Sequence, residues 1–175
     1  MKQKEKREIT EPMEQFLDGL AQKTRSLADH IDTQTNILIG LSSAIFLFSL
    51  TIITTKENVE LYFLILGLFS GVSAFISLLG VHPPKVMRKQ GQEESLLYNK
   101  YIAGFANSKD YAGKLNEILG DRDAIVGQYA IEIYNLSKYY YRPKRKLFHL
   151  ARNVLVAGII LTNITFLIKI LLYMF

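Results

Sequence analysis

Five cations, Arg142, Lys144, Arg145, Lys146 and Arg152, crowd one short stretch directly after Tyr139, Tyr140 and Tyr141. Lysine and arginine beside tyrosine suit a nucleotide, with charge for the phosphate and rings for the base. Tyr98, Tyr101, Tyr111, Tyr129 and Tyr134 extend the tyrosine-rich region upstream. Asp32 lies at the other place where charge meets an apolar run. The candidate ligand-binding set is therefore Asp32, Tyr134, Arg142, Lys144, Arg145 and Lys146. A plainer reading stands beside it: basic residues at the end of a span anchor on anionic lipid, and tyrosines at helical spacing serve as core.

Other chemistries find no support. Asp29, His30 and Asp32 cluster, but two or three local ligands make a poor metal site, and these side chains are expected to be solvated or to pair with the basic cluster. The chain has no cysteine, which excludes disulfides, thiolate nucleophiles and cysteine-ligated metal centres. No nucleophile elbow, phosphate loop or HExxH motif is present, so no enzyme, metal or cofactor is expected. The net charge of +5 is concentrated at the ends of apolar runs, where lipid and topology account for it without nucleic acid.

The elements that must position these residues are set by three apolar runs, about 35–55, 61–81 and 153–174. A bilayer core needs roughly 20 apolar residues in a helix, and unsatisfied backbone groups in lipid exclude open sheet edges. With no strand pattern elsewhere, the chain reads as an all-α integral membrane protein with three transmembrane helices and a cytoplasmic helical layer, folded as a single unit. The charged segment before the first run is too long for a cleavable signal peptide, so that span is expected to remain. Lys169, near the end of the third run, is expected to snorkel to the interface.

Residues 82–153 carry thirteen Lys or Arg against seven acids, and the N-terminal segment carries six, whereas the loop between the first two runs has only Lys56. The positive-inside rule then puts the N-terminus and residues 82–152 in the cytoplasm, with the short loop and Phe175 outside. Thr10-Glu11-Pro12 looks like a helix start. The periodic Met13, Phe16, Leu17, Leu20, Leu27 and Ile31 predict an amphipathic helix over 10–34, continuous with the first span to about residue 54 and on the order of 60 Å long. His82-Pro83-Pro84 stops the second span. Further helices are expected over Glu93–Asn107, from a cap at Ser108, and from Arg122 along Ile125, Tyr129, Ile133, Leu136 and Tyr140. Pro143 should kink this last helix or begin a new one.

Two features within the spans concern packing. Gly67 and Gly71 form a GxxxG that suits either the first span of the same chain or a second copy. Asn163 sits near the middle of the third span and needs a partner, either a neighbouring serine such as Ser42, Ser43 or Ser73 or another chain in an oligomeric pore. The spans contain no Asp, Glu or Arg, so a proton relay, voltage sensor or ion-coupled transporter lacks its usual groups.

Ile31-Asp32-Thr33-Gln34-Thr35-Asn36-Ile37-Leu38-Ile39-Gly40 resembles the entry to the first span in the transmembrane effectors of the Pycsar antiphage system. Ile133-Tyr134-Asn135-Leu136-Ser137, with Lys144-Arg145-Lys146-Leu147 and Ala151, resembles the helix leading into their last span. The likeness runs from about Leu27 onward. It departs where Gln34 and Thr35 replace an Asp-x-Lys-Ala pattern and where Pro143 interrupts a helix-forming stretch. The resemblance implies a bacterial inner-membrane effector, activated by cyclic CMP or cyclic UMP and arresting growth by impairing the membrane as a homo-oligomer. The alternatives are a scaffolding membrane protein or a small channel subunit without a nucleotide ligand.

Overall fold

The structure, a computed structural model, describes residues 11–87 and 93–174. The helices are α1 (Glu11–Thr55), α2 (Leu61–Val81), α3 (Asn99–Ile102), α4 (Ser108–Leu119), α5 (Arg122–Asn135) and α6 (Arg142–Met174). A 3₁₀ turn covers Lys85–Met87 and a π-helical turn covers Leu136–Tyr141. No strand occurs among the described residues. The expected cap at Thr10 and the external Phe175 lie outside them.

Three helices are long and apolar enough to cross a membrane, within Glu11–Thr55, Leu61–Val81 and the helical run Arg122–Met174. In the last, the apolar span is 153–174, since charged residues run up to Arg152. The chain folds as two compact units rather than the one expected: Met1–Asp29 with Val86–Tyr141, and His30–Lys85 with Arg142–Phe175.

α1 buries only part of the expected stripe and fills the remainder with small residues. Phe16, Leu20 and Leu27 are exposed, whereas Leu17, Ala21, Thr24, Ala28, Ile31, Thr35, Leu38, Ser42 and Ser49 are buried. This is a heptad seam of mostly small residues, the pattern that lets helices pack at close range. Its hydroxyls are satisfied within the helix: Thr24 donates to the Leu20 carbonyl, Thr35 to Ile31 and Ser49 to Ile45, at 2.7–2.9 Å.

The membrane unit packs α1, α2 and α6 through small residues and turns its large ones outward. A methyl on Gly67 would lie 3.3 Å from Ser49 Cβ, and one on Gly71 would lie 3.0 Å from the Phe46 ring. The GxxxG face is thus occupied by the first span of the same chain. A methyl on Gly158 of α6 would overlap Phe69 of α2. Ser42 and Ser73 hydroxyls meet at 3.0 Å, and Ser73 also donates to the Ala151 carbonyl at 2.9 Å. Leu38, Ala151 and Leu155 form the apolar centre, with Ile45, Ile76 and Phe148 against it.

The polar unit differs from expectation between residues 93 and 107. Only Asn99–Ile102 is helical, because side chains take the backbone groups a helix would use. The Leu96 amide donates to Gln128 Oε1 at 2.8 Å and the Leu97 amide to Ser95 Oγ at 3.0 Å. Tyr111 Oη donates to the Leu96 carbonyl, and Asn135 Nδ2 to that of Glu93. Such competition is what disfavours serine inside helices. α4 is capped by Asn107, one residue before the expected Ser108, its Oδ1 accepting from the Lys109 and Asp110 amides. Asp121 caps α5 by accepting from the Asp123 amide.

The first turns of α1 run parallel to α5. Arg122 Nε donates to Met13 Sδ at 3.2 Å, Tyr129 Oη donates to Asp18 Oδ1 at 2.6 Å, and Arg25 lies 3.7 Å from Glu132. Along the expected α5 seam, Ile125, Tyr129, Ile133 and Leu136 are half-buried and Tyr140 is exposed. Pro143 falls in the first turn of α6, immediately after the π turn. A proline ring crowds the carbonyl four residues back, and a π turn bonds one residue further on, widening the backbone where that crowding falls.

Candidate functional site

The site residues divide between the two units. Asp32 of α1 and Lys144 of α6 meet in the membrane unit: Lys144 Nζ donates to Asp32 Oδ1 at 2.6 Å and to Oδ2 at 2.8 Å. The Lys144 side chain is 5% exposed and that of Asp32 33%. Pro143 and Leu147 are buried on either side of the lysine, and a methyl on Gly80 of α2 would lie 3.4 Å from Thr35 Cγ2 and 3.7 Å from Leu147 Cβ. Asp32 therefore pairs with the basic cluster as its surroundings suggested, and the pair ties α1 to α6 where α2 ends.

The rest of the cluster points elsewhere. Arg142, Arg145 and Lys146 are exposed. Arg145 Nε donates to His149 Nε2 at 3.3 Å, and Arg152 donates to Asn153 Oδ1. A planar guanidinium offers several donors to one anion, so Arg142, Arg145 and Lys146 can present a multivalent cationic surface to phosphate.

Tyr134 belongs to the polar unit, where Lys138 donates to its hydroxyl. The same ammonium lies 4.8 Å from the Tyr134 ring centroid and 5.4 Å from that of Tyr139. Its hydrogen bond to the phenol holds the Tyr134 hydroxyl below and the Lys138 ammonium above their ordinary values. The tyrosines thus already hold a cation of their own.

The polar unit also contains a cavity of about 410 Å³ lined by Glu94, Lys100, Tyr101, Gly104 and Phe105. Tyr101 and Phe105 stand edge to face at 5.5 Å, and Phe105 in turn packs on Tyr111 at 5.4 Å. The spacing of Tyr101 and Phe105 is visible in the sequence, but it reads there as a helix face. The cavity forms because the chain leaves the helix at Ala103 and Gly104, which no periodicity announces. Its volume lies within the range of small-ligand sites, which are apolar with a few polar groups.

Asn163 does not meet a serine. Its Nδ2 donates to the Ile159 carbonyl of its own helix at 2.8 Å, and the residue is exposed. Lys169, expected to snorkel, pairs with Glu60 at the start of α2, 5.9 Å from the Tyr62 ring and 5.5 Å from that of Tyr173. Among the described residues no group of three or more His, Cys, Asp or Glu could hold a metal ion.

These features define an all-α membrane protein, three spans packed through small residues and joined to a separate polar helical unit. A family model for PycTM, the Pycsar effector protein domain, matches residues 16–170. The chain belongs to that family, and its role is that of a Pycsar effector in antiphage defence. No curated protein and no solved structure matches the chain.

Proposed function

We propose that the chain senses a cyclic pyrimidine mononucleotide, cyclic CMP or cyclic UMP, through its polar unit and responds by impairing a bacterial inner membrane as a homo-oligomer. The reading rests on one observation: the Pycsar effector model runs from residue 16 to residue 170, taking in both the spans and the polar unit. The excess of Lys and Arg in residues 82–153 argues for a cytoplasmic polar unit, where such a messenger would be made.

The cavity at Tyr101 and Phe105 is the binding site we favour. Tyr101 is 41% exposed, so its ring is available to stack on a pyrimidine, while Lys100 is at hand for the phosphate. Arg142, Arg145 and Lys146 form the second candidate, favoured by charge, since Lys100 and Glu94 together leave the cavity near neutral. Lys144 pairs with Asp32 in the packing described above. Ligand binding can separate α1 from α6 only by favouring a packing in which that pair is strained or broken.

Calorimetric titration of the purified full chain with cyclic CMP, cyclic UMP and cyclic AMP tests the sensing step. Saturable binding of one of the pyrimidine messengers, lost in Tyr101→Ala and kept in Arg145→Ala, supports the cavity, whereas the reverse pattern transfers the site to the basic turn. No saturable binding by the folded protein refutes sensing. Dye release from vesicles on adding the bound nucleotide tests impairment, and a tight vesicle at saturating ligand refutes it.

A further inference from the structure

The assembly part of that reading needs a surface, and the GxxxG face is unavailable because Ser49 and Phe46 of the same chain cover it. We propose that the lipid-facing side of α6 around Asn163 is that surface, and that its occupant is a second copy of this chain.

Asn163 lies ten residues from Asn153 and eleven from Met174, about 15 Å from either end of the span at 1.5 Å per residue. It is exposed to lipid at the depth where an unmet amide is most unfavourable. The inward face of α6 runs through Lys144, Leu147, Ala151, Leu155 and Gly158, all buried, and Asn163 is off that line. One turn away on its own face stand the exposed Ile159, Ile160 and Leu167.

The amide differs from the other polar groups facing lipid. Thr51 and Thr165 each donate their one proton to the carbonyl four residues back, at 2.9 and 2.8 Å, which meets the need of a hydroxyl. Asn163 makes the same bond to Ile159, yet an amide carries a second N–H and a carbonyl oxygen. Those leftover groups are one donor and one acceptor, so the complement of Asn163 is another amide in the opposite sense.

A bilayer supplies that partner by geometry. Copies inserted in one orientation hold Asn163 at one depth, so two chains related by a two-fold axis along the membrane normal bring the two amides face to face. Each donates to the other. The surrounding Ile159, Ile160 and Leu167 then pack as the apolar flank of a helix pair. The cost of an unmet amide is independent of any messenger, so the pair exists before activation.

The absence of cysteine makes the native chain its own background for single-cysteine crosslinking. In oxidised membrane vesicles holding the full chain, Ile160→Cys and Leu167→Cys should form disulfide dimers. Leu68→Cys, lipid-facing on α2, should not. Adding Asn163→Leu should weaken dimerisation by roughly 5- to 30-fold in protein-to-lipid titrations, the value of one interhelical polar contact, and Asn163→Gln should restore most of it. Because the exposed Asn163 bonds to Ile159 of its own helix, Asn163→Leu should melt as the wild type does, which separates loss of pairing from loss of fold. Dimers captured equally well at Leu68, or insensitive to Asn163→Leu, overturn the α6 surface and leave assembly standing. A chain that is monomeric in vesicles with and without the bound nucleotide overturns both.

Discussion

Replacing Asp32 by asparagine should destabilise the membrane unit far more than replacing Lys144 by methionine, although both break one ion pair. The two partners differ in their access to water: the lysine side chain is 5% exposed and the aspartate 33%. Asp32→Asn leaves a buried ammonium facing an amide oxygen, and removing one partner of a buried pair costs about 3–5 kcal/mol. The partial exposure of this pair puts the change near the lower end, about 3 kcal/mol. Lys144→Met instead leaves a carboxylate that solvent reaches, with an unbranched apolar chain in place of the lysine stem, at about 1 kcal/mol. With roughly 2–4 °C per kcal/mol for a chain of this size, the midpoints should fall by about 6–12 °C and about 2–4 °C.

The double variant gives a sharper outcome, because it changes sign. Methionine removes the buried ammonium whose carboxylate Asp32→Asn had taken away, so Asp32→Asn/Lys144→Met should melt above Asp32→Asn alone. The assay is a far-ultraviolet circular dichroism melt in mild detergent, since the chain has no tryptophan for fluorescence. An Asp32→Asn midpoint within about 1 °C of wild type, or a double variant falling by the sum of the singles, would refute the reasoning that this pair closes α1 onto α6.

Three further outcomes follow from contacts already described. Gly158→Ala should lower the melting midpoint, because its methyl would overlap Phe69 Cβ, and Phe69→Ala in the same chain should not recover the loss, since alanine keeps that Cβ; a full recovery would count against the contact. Ser77→Ala should be neutral or stabilising by up to about 1 kcal/mol, since Ser77 Oγ is buried without a hydrogen-bond partner; a clear drop in the midpoint would argue for a polar role in the seam. Accepting Tyr129's proton bond, the Asp18 carboxylate raises the phenol above its ordinary value of 10.0. The contact therefore stabilises the polar unit fully below that value and is lost as pH rises through the raised one. Melts taken across the alkaline range should show a step that Tyr129→Phe removes, and an identical alkaline profile in that variant would count against the contact.

The spans were legible because lipid imposes a single rule on composition. The apolar runs near 35–55, 61–81 and 153–174 match the helices closely, with α2 ending at Val81 before Pro83. What the sequence hid was which side of each helix faces in. A stripe of large apolar residues selected Leu17 and Ile31, which are buried, together with Phe16, Leu20 and Leu27, which are exposed. The rest of the buried stripe is carried by Ala21, Thr24, Ala28, Thr35 and Ser42. The non-helical 93–98 was hidden for another reason: its partners, Gln128, Tyr111 and Asn135, come from helices later in the chain. A window along the sequence sees the apolar spacing and not the distant side chains that override it.

The interior of the membrane unit is filled by small and polar residues, Thr35, Ser42, Ser49, Ser70, Ser73 and Ser77 among them. Where lipid is as apolar as leucine, burying leucine between helices gains little, so the interior is given to groups that fit closely or bond across the seam. Its sidedness is clear in the pairs that fasten it: Asp32 with Lys144 at one end, Ser42 with Ser73 in the middle, and Glu60 with Lys169 at the other. Each is a polar contact between two helices, and each can be exchanged for water or for another copy without exposing a large apolar core. A bundle held in this way separates at the expense of a few discrete bonds. The proposed response to a messenger would require a bundle of this kind.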